Sequence, residues 1–544
     1  MLASPSSISV FTKDHLYTFR DTLVGVHDDI KLEYIDGTVR LTADTTPVKF
    51  IRVRWNMPMP KDALFCGDDW ERTYGFSSWQ SYSPSRMMPW YFLMSEPNTG
   101  RVSAAGIKVR PGAFAMWTAD PKGITLWLDV RCGCLGVILN GRTLEAAKVV
   151  SAQFTGMTEF AAMHRFCTMM CDDPIFPDKP VYGINNWYYA YGAITADTVI
   201  DDCKYLAELT KGLENRPYMV IDDGWQHNRL ERGTCGPWRD GNKNFPDMGA
   251  LASKMKAYDI HPGIWFRPLY QELTNLSAEA YLRQDARLRQ ADPCTLDPSC
   301  PEVLELITGD VKQICDWGFE LIKHDFTIFD TCDGYGFQRR FWLCEEWIGH
   351  DWADWSFYDR NKTTAEILTN LYRVIKQAAG KTLILGCNVP PHLAAGLQEL
   401  SRSGDDTSGR TWDRTRKFGI NTLAFRYAQH RTFFDVDADC IGIDGAIPWR
   451  LNRDWAELVA ESGTSFFASP RPGRLNAEQN KELAHYMAIA STGKVNAEPL
   501  DWLHNNCPQD WRIGDQIKHF DWYETDGGCP DFVDCDAAQD ARLD

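Results

Sequence analysis

The chain has 544 residues, of which 44% are hydrophobic and 24% charged, and its formal net charge is −17. These proportions exclude general disorder, and the length predicts two or three domains. The acidic balance excludes a nucleic-acid partner, since phosphate binding needs a basic surface, and it fits a neutral substrate. The N-terminus lacks a basic region followed by an apolar stretch, and no run approaches the ~20 apolar residues of a membrane span. No membrane partner is expected, and the location expected is cytoplasmic. Among the 17 cysteines, Cys132 with Cys134 and Cys167 with Cys171 read as buried free thiols rather than ligands or disulfides.

Residues 1 to about 150 carry strand and hairpin signals. Lys31 to Ile35 and Thr38 to Leu41 flank Asp36-Gly37, a type I′ hairpin turn. Ala113 to Thr118 and Ile124 to Asp129 pair around Pro121-Lys-Gly123, and Val137 to Leu139 runs into Asn140-Gly141. An antiparallel β-sandwich follows from these signals. Within it, Gly67-Asp68-Asp69-Trp70-Glu71-Arg72-Thr73-Tyr74 interleaves charges and aromatics, as a loop reaching a neighbouring cleft would. Thr155 to Met170 has apolar residues at helical spacing, and Pro174, Pro177 and Pro180 then mark a boundary near Asp172.

From Val181 short apolar strands alternate with helical segments. The strands are Val181 to Asn185, Tyr218 to Ile221, Gly263 to Phe266, Leu321 to His324, Thr382 to Leu385, Ser401 to Gly404, Phe433 to Val436 and Ser465 to Ala468. A Trp-rich insertion follows the fourth. Eight β/α repeats predict an α/β fold, a (β/α)8 TIM barrel, with its chemistry at the strand C-terminal ends. The expected organisation is a sandwich with a linker helix over residues 1–172, the barrel over 173–492, and a short β segment and tail over 493–544. Residues after about Gly527 are expected to be poorly ordered.

The strand ends repeat one theme. In order they offer Asn185-Asn186-Trp187-Tyr188, then Asp222, Asp223 and Trp225, then Trp265 and Arg267, then Lys323-His324-Asp325, then Cys387-Asn388, then Arg402, Asp405 and Asp406. Carboxylates and amides suit sugar hydroxyls, and indoles suit the apolar face of a ring. Strand alternation puts Lys323 and Asp325 on one side and His324 on the other, and the nearby cation favours the ionised carboxylate that a nucleophile requires. A retaining glycosidase needs a second carboxyl to protonate the leaving oxygen, and the sixth strand ends in two candidates, Asp405 and Asp406. Asp435-x-Asp437-x-Asp439 resembles a calcium loop, but Cys440 and Ala446 stand where glycine and glutamate are needed. No metal or organic cofactor is expected, as there is no phosphate cradle, His-x-x-x-His pair or nucleophile-elbow serine.

Ile221-Asp-Asp-Gly-Trp225, Gly263-Ile-Trp-Phe266, Lys323-x-Asp325 and Ser403-Gly-Asp405-Asp406-Thr407 together resemble the α-galactosidases of glycoside hydrolase family 36, allied to families 27 and 31. The β-rich N-terminal region resembles that family's supersandwich. The resemblance implies a retaining α-galactosidase, with Asp325 as nucleophile and Asp405 as acid/base. It implies that Asp222 and Asp223 bind O4 and O6, that Lys323 holds ring hydroxyls, that Trp187 stacks at the pocket, and that Cys387 lines the side near the 2-position. It implies that Asp69 and Trp70 form the loop laid over the site, and it makes a homo-oligomer possible. The chain departs from the family pattern at His324 (Trp there), Arg267 (Glu) and Asn388-Val-Pro-Pro391 (Ser-Gly-Gly-Gly). Arg267 would change the charge at the rim. The rival substrates are α-N-acetylgalactosaminides, β-L-arabinopyranosides and a charged sugar paired with Arg267. The same scaffold would also suit transfer to an acceptor sugar or, less readily, saccharide binding without catalysis.

Overall fold

The computed structural model describes residues 2–227, 236, 238–271, 276–282, 295–332, 355–493 and 496–523. Most of the Trp-rich insertion and the tail beyond Gly527 lie outside these residues.

Two antiparallel sheets form the N-terminal region, one of six strands and one of eight. Alternation builds the space between them: in Val48–Asn56 the side chains of Val48, Ile51, Val53 and Trp55 are buried. Trp55 and Trp117 of the first sheet meet Tyr34 and Phe92 of the second, with ring centroids 6.0 and 5.5 Å apart. The Asp36-Gly37 hairpin forms as read, with both residues at positive φ between Ile30–Ile35 and Thr38–Thr42. Val137 to Leu139 makes only an isolated bridge, Val137 with Val48, because the left-handed Asn140 and Gly141 turn the chain away at once. The expected helix starts late. Residues up to Thr155 close the long strand Thr143–Thr155, and the helix Glu159–Met170 begins behind Thr158, whose hydroxyl accepts from the Ala161 N–H.

The barrel closes with eight parallel strands. They are β1 (Tyr182–Asn185), β2 (Tyr218–Ile221), β3 (His261–Phe266), β4 (Leu321–His324), β5 (Leu383–Gly386), β6 (Leu400–Arg402), β7 (Asp435–Ile443) and β8 (Ser465–Pro470). Val220, Leu321, Leu385, Leu400 and Phe467 cluster in its interior, so the centre is packed and chemistry is confined to the ends. The helices Ala196–Leu209, Met248–Ala257, Pro301–Asp316, Thr364–Ala379, Trp449–Ser462 and Ala477–Ala490 lie around it. Between β5 and β6 there is only the one-turn helix Pro391–Ala394, and the sandwich packs there. His392 stacks on Trp90 at 5.0 Å and shares a hydrogen bond with the Ile107 carbonyl. That docking fixes the sandwich against the barrel beside β5 and β6. A three-stranded antiparallel sheet, Ala497–Pro499, Asp510–Ile513 and Gln516–His519, follows the barrel.

Candidate active site

Asp222 leaves the end of β2 fully engaged. Its Oδ2 accepts from Asn185 Nδ2 at 2.6 Å and from Lys323 Nζ at 2.7 Å, and its N–H donates to Asn186 Oδ1. Lys323 is buried, which works against its charge, but Asp222 and its anionic surroundings outweigh burial and raise its pKa. Asp223 follows with Oδ1 held by Gln226 Nε2 at 2.5 Å, and burial raises its carboxyl above the usual range.

Alternation along β4 sends Lys323 and His324 to opposite sides, as expected. His324 stacks on Tyr372 of the helix Thr364–Ala379, and burial pushes its imidazole down to about 4, so it is a neutral packing group. Asp325 lies one residue past β4. Its Oδ1 accepts the Phe326 N–H at 2.7 Å and its Oδ2 accepts Trp265 Nε1 at 3.3 Å. Phe326 has φ of 63°, an unusual value for a bulky residue, and this turn is what brings its N–H onto the Asp325 carboxylate. Burial pushes the Asp325 carboxyl up, yet Arg72, Lys323 and the Phe326 N–H together hold it below its ordinary value.

Asp405 stands past β6. Arg72 Nη2 lies 3.5 Å from its Oδ1 and Arg414 Nη2 3.6 Å from its Oδ2. Burial raises its pKa, and the neighbouring Asp406 adds to that, against the pull of Arg72 and Arg414. Two carboxyls at one barrel mouth are thus pushed apart, one toward the anion and one toward the acid.

Several expected binding residues are engaged by neighbours within the protein. Trp70 is fully buried among Trp90 and Phe114 of the sandwich, so it presents no face to a ligand. Asp69 lines a cavity of about 170 Å³ made wholly of residues between Gly67 and Met88. Asp68 before Asp69 and Trp70, and Glu71, Arg72, Thr73 and Tyr74 after them, bond to groups of the barrel. Trp225 is fully buried, donating to the Trp265 carbonyl and packing on Trp238 and Trp317. Arg267 is paired within the protein: Asp330 takes its Nε and Nη2 at 3.1 and 2.5 Å, its guanidinium lies over Tyr270 and Phe326, and its charge still lowers the Asp223 carboxyl against burial. Arg402 is buried between Asp437 and Asp439, which explains the failed calcium-loop pattern: two of those carboxylates are its counter-ions. Asn388 is fully buried, giving Nδ2 to Glu71 Oε2 at 2.5 Å and to Tyr74 Oη at 3.1 Å. Cys387 is a buried thiol 3.6 Å from Arg72 Nη1, and burial keeps it neutral. Trp187 is half-buried on the short helix after β1, its ring 5.3 Å from Tyr191. Cys132, Cys134, Cys167 and Cys171 are buried thiols that form no disulfide.

The chain's likenesses point one way. No family model matches it. Among curated proteins it is 24% identical over 204 residues to the bifunctional α-galactosidase/sucrose kinase AgaSK of Mediterraneibacter gnavus, covering 35% of this chain and 21% of that protein. The match therefore spans about a fifth of that relative's length. Among solved structures, the α-galactosidase TtGalA from Thermus thermophilus, in complex with p-nitrophenyl α-D-galactopyranoside, superposes with a TM-score of 0.61 at 17% identity, over 94% of this chain and 99% of that one. A variant of the glycoside hydrolase family 36 α-galactosidase AgaA from Geobacillus stearothermophilus, in complex with 1-deoxygalactonojirimycin, gives a TM-score of 0.57 at 12% identity, over 93% and 71% of the two chains. The chain has the fold of these α-galactosidases. Their barrel and N-terminal β-sandwich are the architecture described above. Among the described residues no helix is long and apolar enough to cross a membrane.

Proposed function

We propose that the chain is a retaining α-glycosidase that releases terminal α-linked galactose. The observation that carries this reading is the pair Asp325 and Asp405, whose proton affinities are driven in opposite directions at one barrel mouth. In the first step the Asp325 carboxylate attacks the anomeric carbon, while the Asp405 carboxyl gives its proton to the glycosidic oxygen as that bond breaks. In the second, Asp405 takes a proton from water, whose oxygen attacks the same carbon and releases Asp325, so the configuration is retained. Trp265 and the Phe326 N–H aim the Asp325 carboxylate in both steps. Asp222, Asp223 and Lys323 form a polar cluster next to Asp325 suited to neighbouring hydroxyls of the ring.

The galacto assignment draws on the motifs of the sequence and on the fold shared with α-galactosidases, one of them solved with stachyose. The pairing of Arg267 with Asp330 counts against a charged sugar. Among the described residues the cysteines form no disulfide, which fits a reducing, cytoplasmic setting. The test is hydrolysis of p-nitrophenyl α-D-galactopyranoside by the wild type and by Asp325→Ala, with the released sugar's anomer followed by NMR. The wild type should release α-galactose first, and the variant should lose at least about 1,000-fold in kcat while still binding galactose. Near-native turnover in Asp325→Ala, or release of β-galactose, refutes the assignment.

A further inference from the structure

We propose that Arg72, delivered by the N-terminal sandwich, is the positioning residue that couples the two reacting carboxyls, so that the sandwich completes the active site rather than merely flanking it. The proposal rests on the functional reading above.

The delivery is built into the backbone. The strand Leu64–Gly67 ends at the barrel mouth, and the next residues are fastened to the segment after β6 at three points. Asp68 takes Arg426 Nε and Gln429 Nε2, each at 2.8 Å. Thr73 forms a parallel bridge to Gly404: its N–H donates to the Ser403 carbonyl and its carbonyl accepts the Asp405 N–H, both at 3.1 Å. The Ser77 N–H and carbonyl then bond the Asn421 side chain at 2.9 and 2.8 Å. Gly404 is required at the bridge, since a Cβ there would lie 2.0 Å from the Phe418 carbonyl oxygen. The main chain that positions Arg72 is therefore hydrogen-bonded directly to the main chain that positions Asp405.

The side chain is 4% exposed. Its Nη1 lies 3.4 Å from Asp406 Oδ1 and its Nε and Nη2 face Tyr74 Oη at 3.3 and 3.1 Å. The 3.5 Å gap to Asp405 is longer than the ~2.8 Å of a tight charge-assisted bond. A cation at that distance orients the carboxyl while leaving its oxygen able to carry a proton. A purely structural arginine closing the mouth would make the same contacts, and the two roles differ in what they do to pH dependence. The other titratable groups facing Asp325 are Lys323, His324, Cys387, Asp223 and Glu71. Those facing Asp405 are Asp406, Arg414, Tyr74 and Glu71. None of them bears on both carboxyls as a cation, and Arg72 does.

Removing that cation raises the proton affinity of both groups. The acid limb of the kcat/KM profile, set by Asp325, and the basic limb, set by Asp405, should both move up by about one pH unit. The experiment measures kcat/KM for p-nitrophenyl α-D-galactopyranoside from pH 4 to 10, for the wild type, Arg72→Met and Arg72→Lys. The whole bell should shift toward alkali in Arg72→Met, with a drop of about tenfold at the acid end, and Arg72→Lys should restore much of the shift. A bell reduced in height but unmoved overturns the proposal. If Arg72→Met does not fold, Arg72→Gln, which keeps a polar end in the polar mouth, is read the same way. A wild type that fails to hydrolyse the substrate refutes the functional reading instead, so the two failures are distinct.

Discussion

Glu71 is fully buried beside Arg72, and burial pushes its carboxyl up to about 8 against the pull of Arg72 and a hydrogen bond with Tyr74, with Asp405 and Asp325 adding to the effect of burial. One oxygen, Oε2, accepts from Asn388, and the other has no hydrogen-bond partner. The group is therefore neutral at pH 7 in the folded chain, whereas it ionises near 4.5 once exposed. A folded pKa above the unfolded one means the native state holds the extra proton. The stability it contributes is complete below the unfolded pKa and is lost as pH rises toward the folded pKa. At about 1.4 kcal/mol per unit, the wild type should lose on the order of 3 kcal/mol from this group between pH 5 and 7, with the loss levelling off above about pH 8. Glu71→Gln removes the titration, and its amide oxygen can keep the Asn388 bond. The difference in Tm, variant minus wild type, read by calorimetry at unit steps from pH 5 to 9, should widen in favour of the variant up to pH 8 and then flatten. If Glu71 were instead an ionised partner of Arg72, the glutamine would destabilise at pH 7 and the difference would run the other way. A Tm difference that is flat with pH also refutes the reasoning.

Three further outcomes follow from the contacts. Asp405→Ala should slow hydrolysis of unactivated galactosides by about 100- to 10,000-fold and affect p-nitrophenyl galactoside less, since nitrophenolate leaves without a proton; equal losses on both would remove Asp405 from acid catalysis. Asp222→Asn takes the direct counter-ion from buried Lys323, and should cost about 3–5 kcal/mol of stability by denaturant titration together with a raised KM; an unchanged midpoint would show the pair to be dispensable. Gly183→Ala in β1 would put a Cβ 1.8 Å from the Tyr218 carbonyl oxygen at φ of 153°, so soluble yield should collapse, and normal expression would contradict the described pairing of β1 with β2.

How much of this could be read in advance depended on where each residue's partner lies. Strands β2 and β4 were legible to the residue, because Tyr218–Ile221 and Leu321–His324 are short runs that end in polar clusters. Strand β7 was not. Its expected span, Phe433 to Val436, stops where Asp437 and Asp439 begin, yet the strand continues to Ile443 with every residue buried. Acidic residues forbid a buried strand unless counter-charges are supplied, and Arg402 and Arg431 supply them from other segments. The loop after Leu64–Gly67 failed in a similar way. Its reach toward the cleft was legible, but the members bonded to the barrel are Asp68 and Glu71 to Tyr74, while Trp70 is buried in the sandwich. Asp68 is drawn to Arg426 and Arg72 to Asp405, and partners more than 300 residues away leave no trace in local pattern.

Three carboxyls, Asp325, Asp405 and Glu71, share one barrel mouth, yet their proton affinities are shifted differently, Asp325 down and the other two up, and local charges and donors as well as burial set the difference. Asp325 has Lys323 and Arg72 for charge and receives two N–H groups, which together outweigh desolvation. Asp405 has two guanidinium groups, but at 3.5 and 3.6 Å, and an adjacent carboxyl opposes them. Glu71 adjoins Arg72 but has one oxygen without a partner and faces both other carboxyls, so it keeps its proton. Its neutrality matters to the other two. An ionised Glu71 would claim the Arg72 charge as its own counter-ion and add a second anion beside Asp405, weakening the nucleophile's ionisation and raising the acid's pKa further. The neutral Glu71 and the cationic Arg72, adjacent in the chain, therefore act as one unit. The first leaves the second's charge available, and the sandwich brings both to the barrel on a single hydrogen-bonded segment.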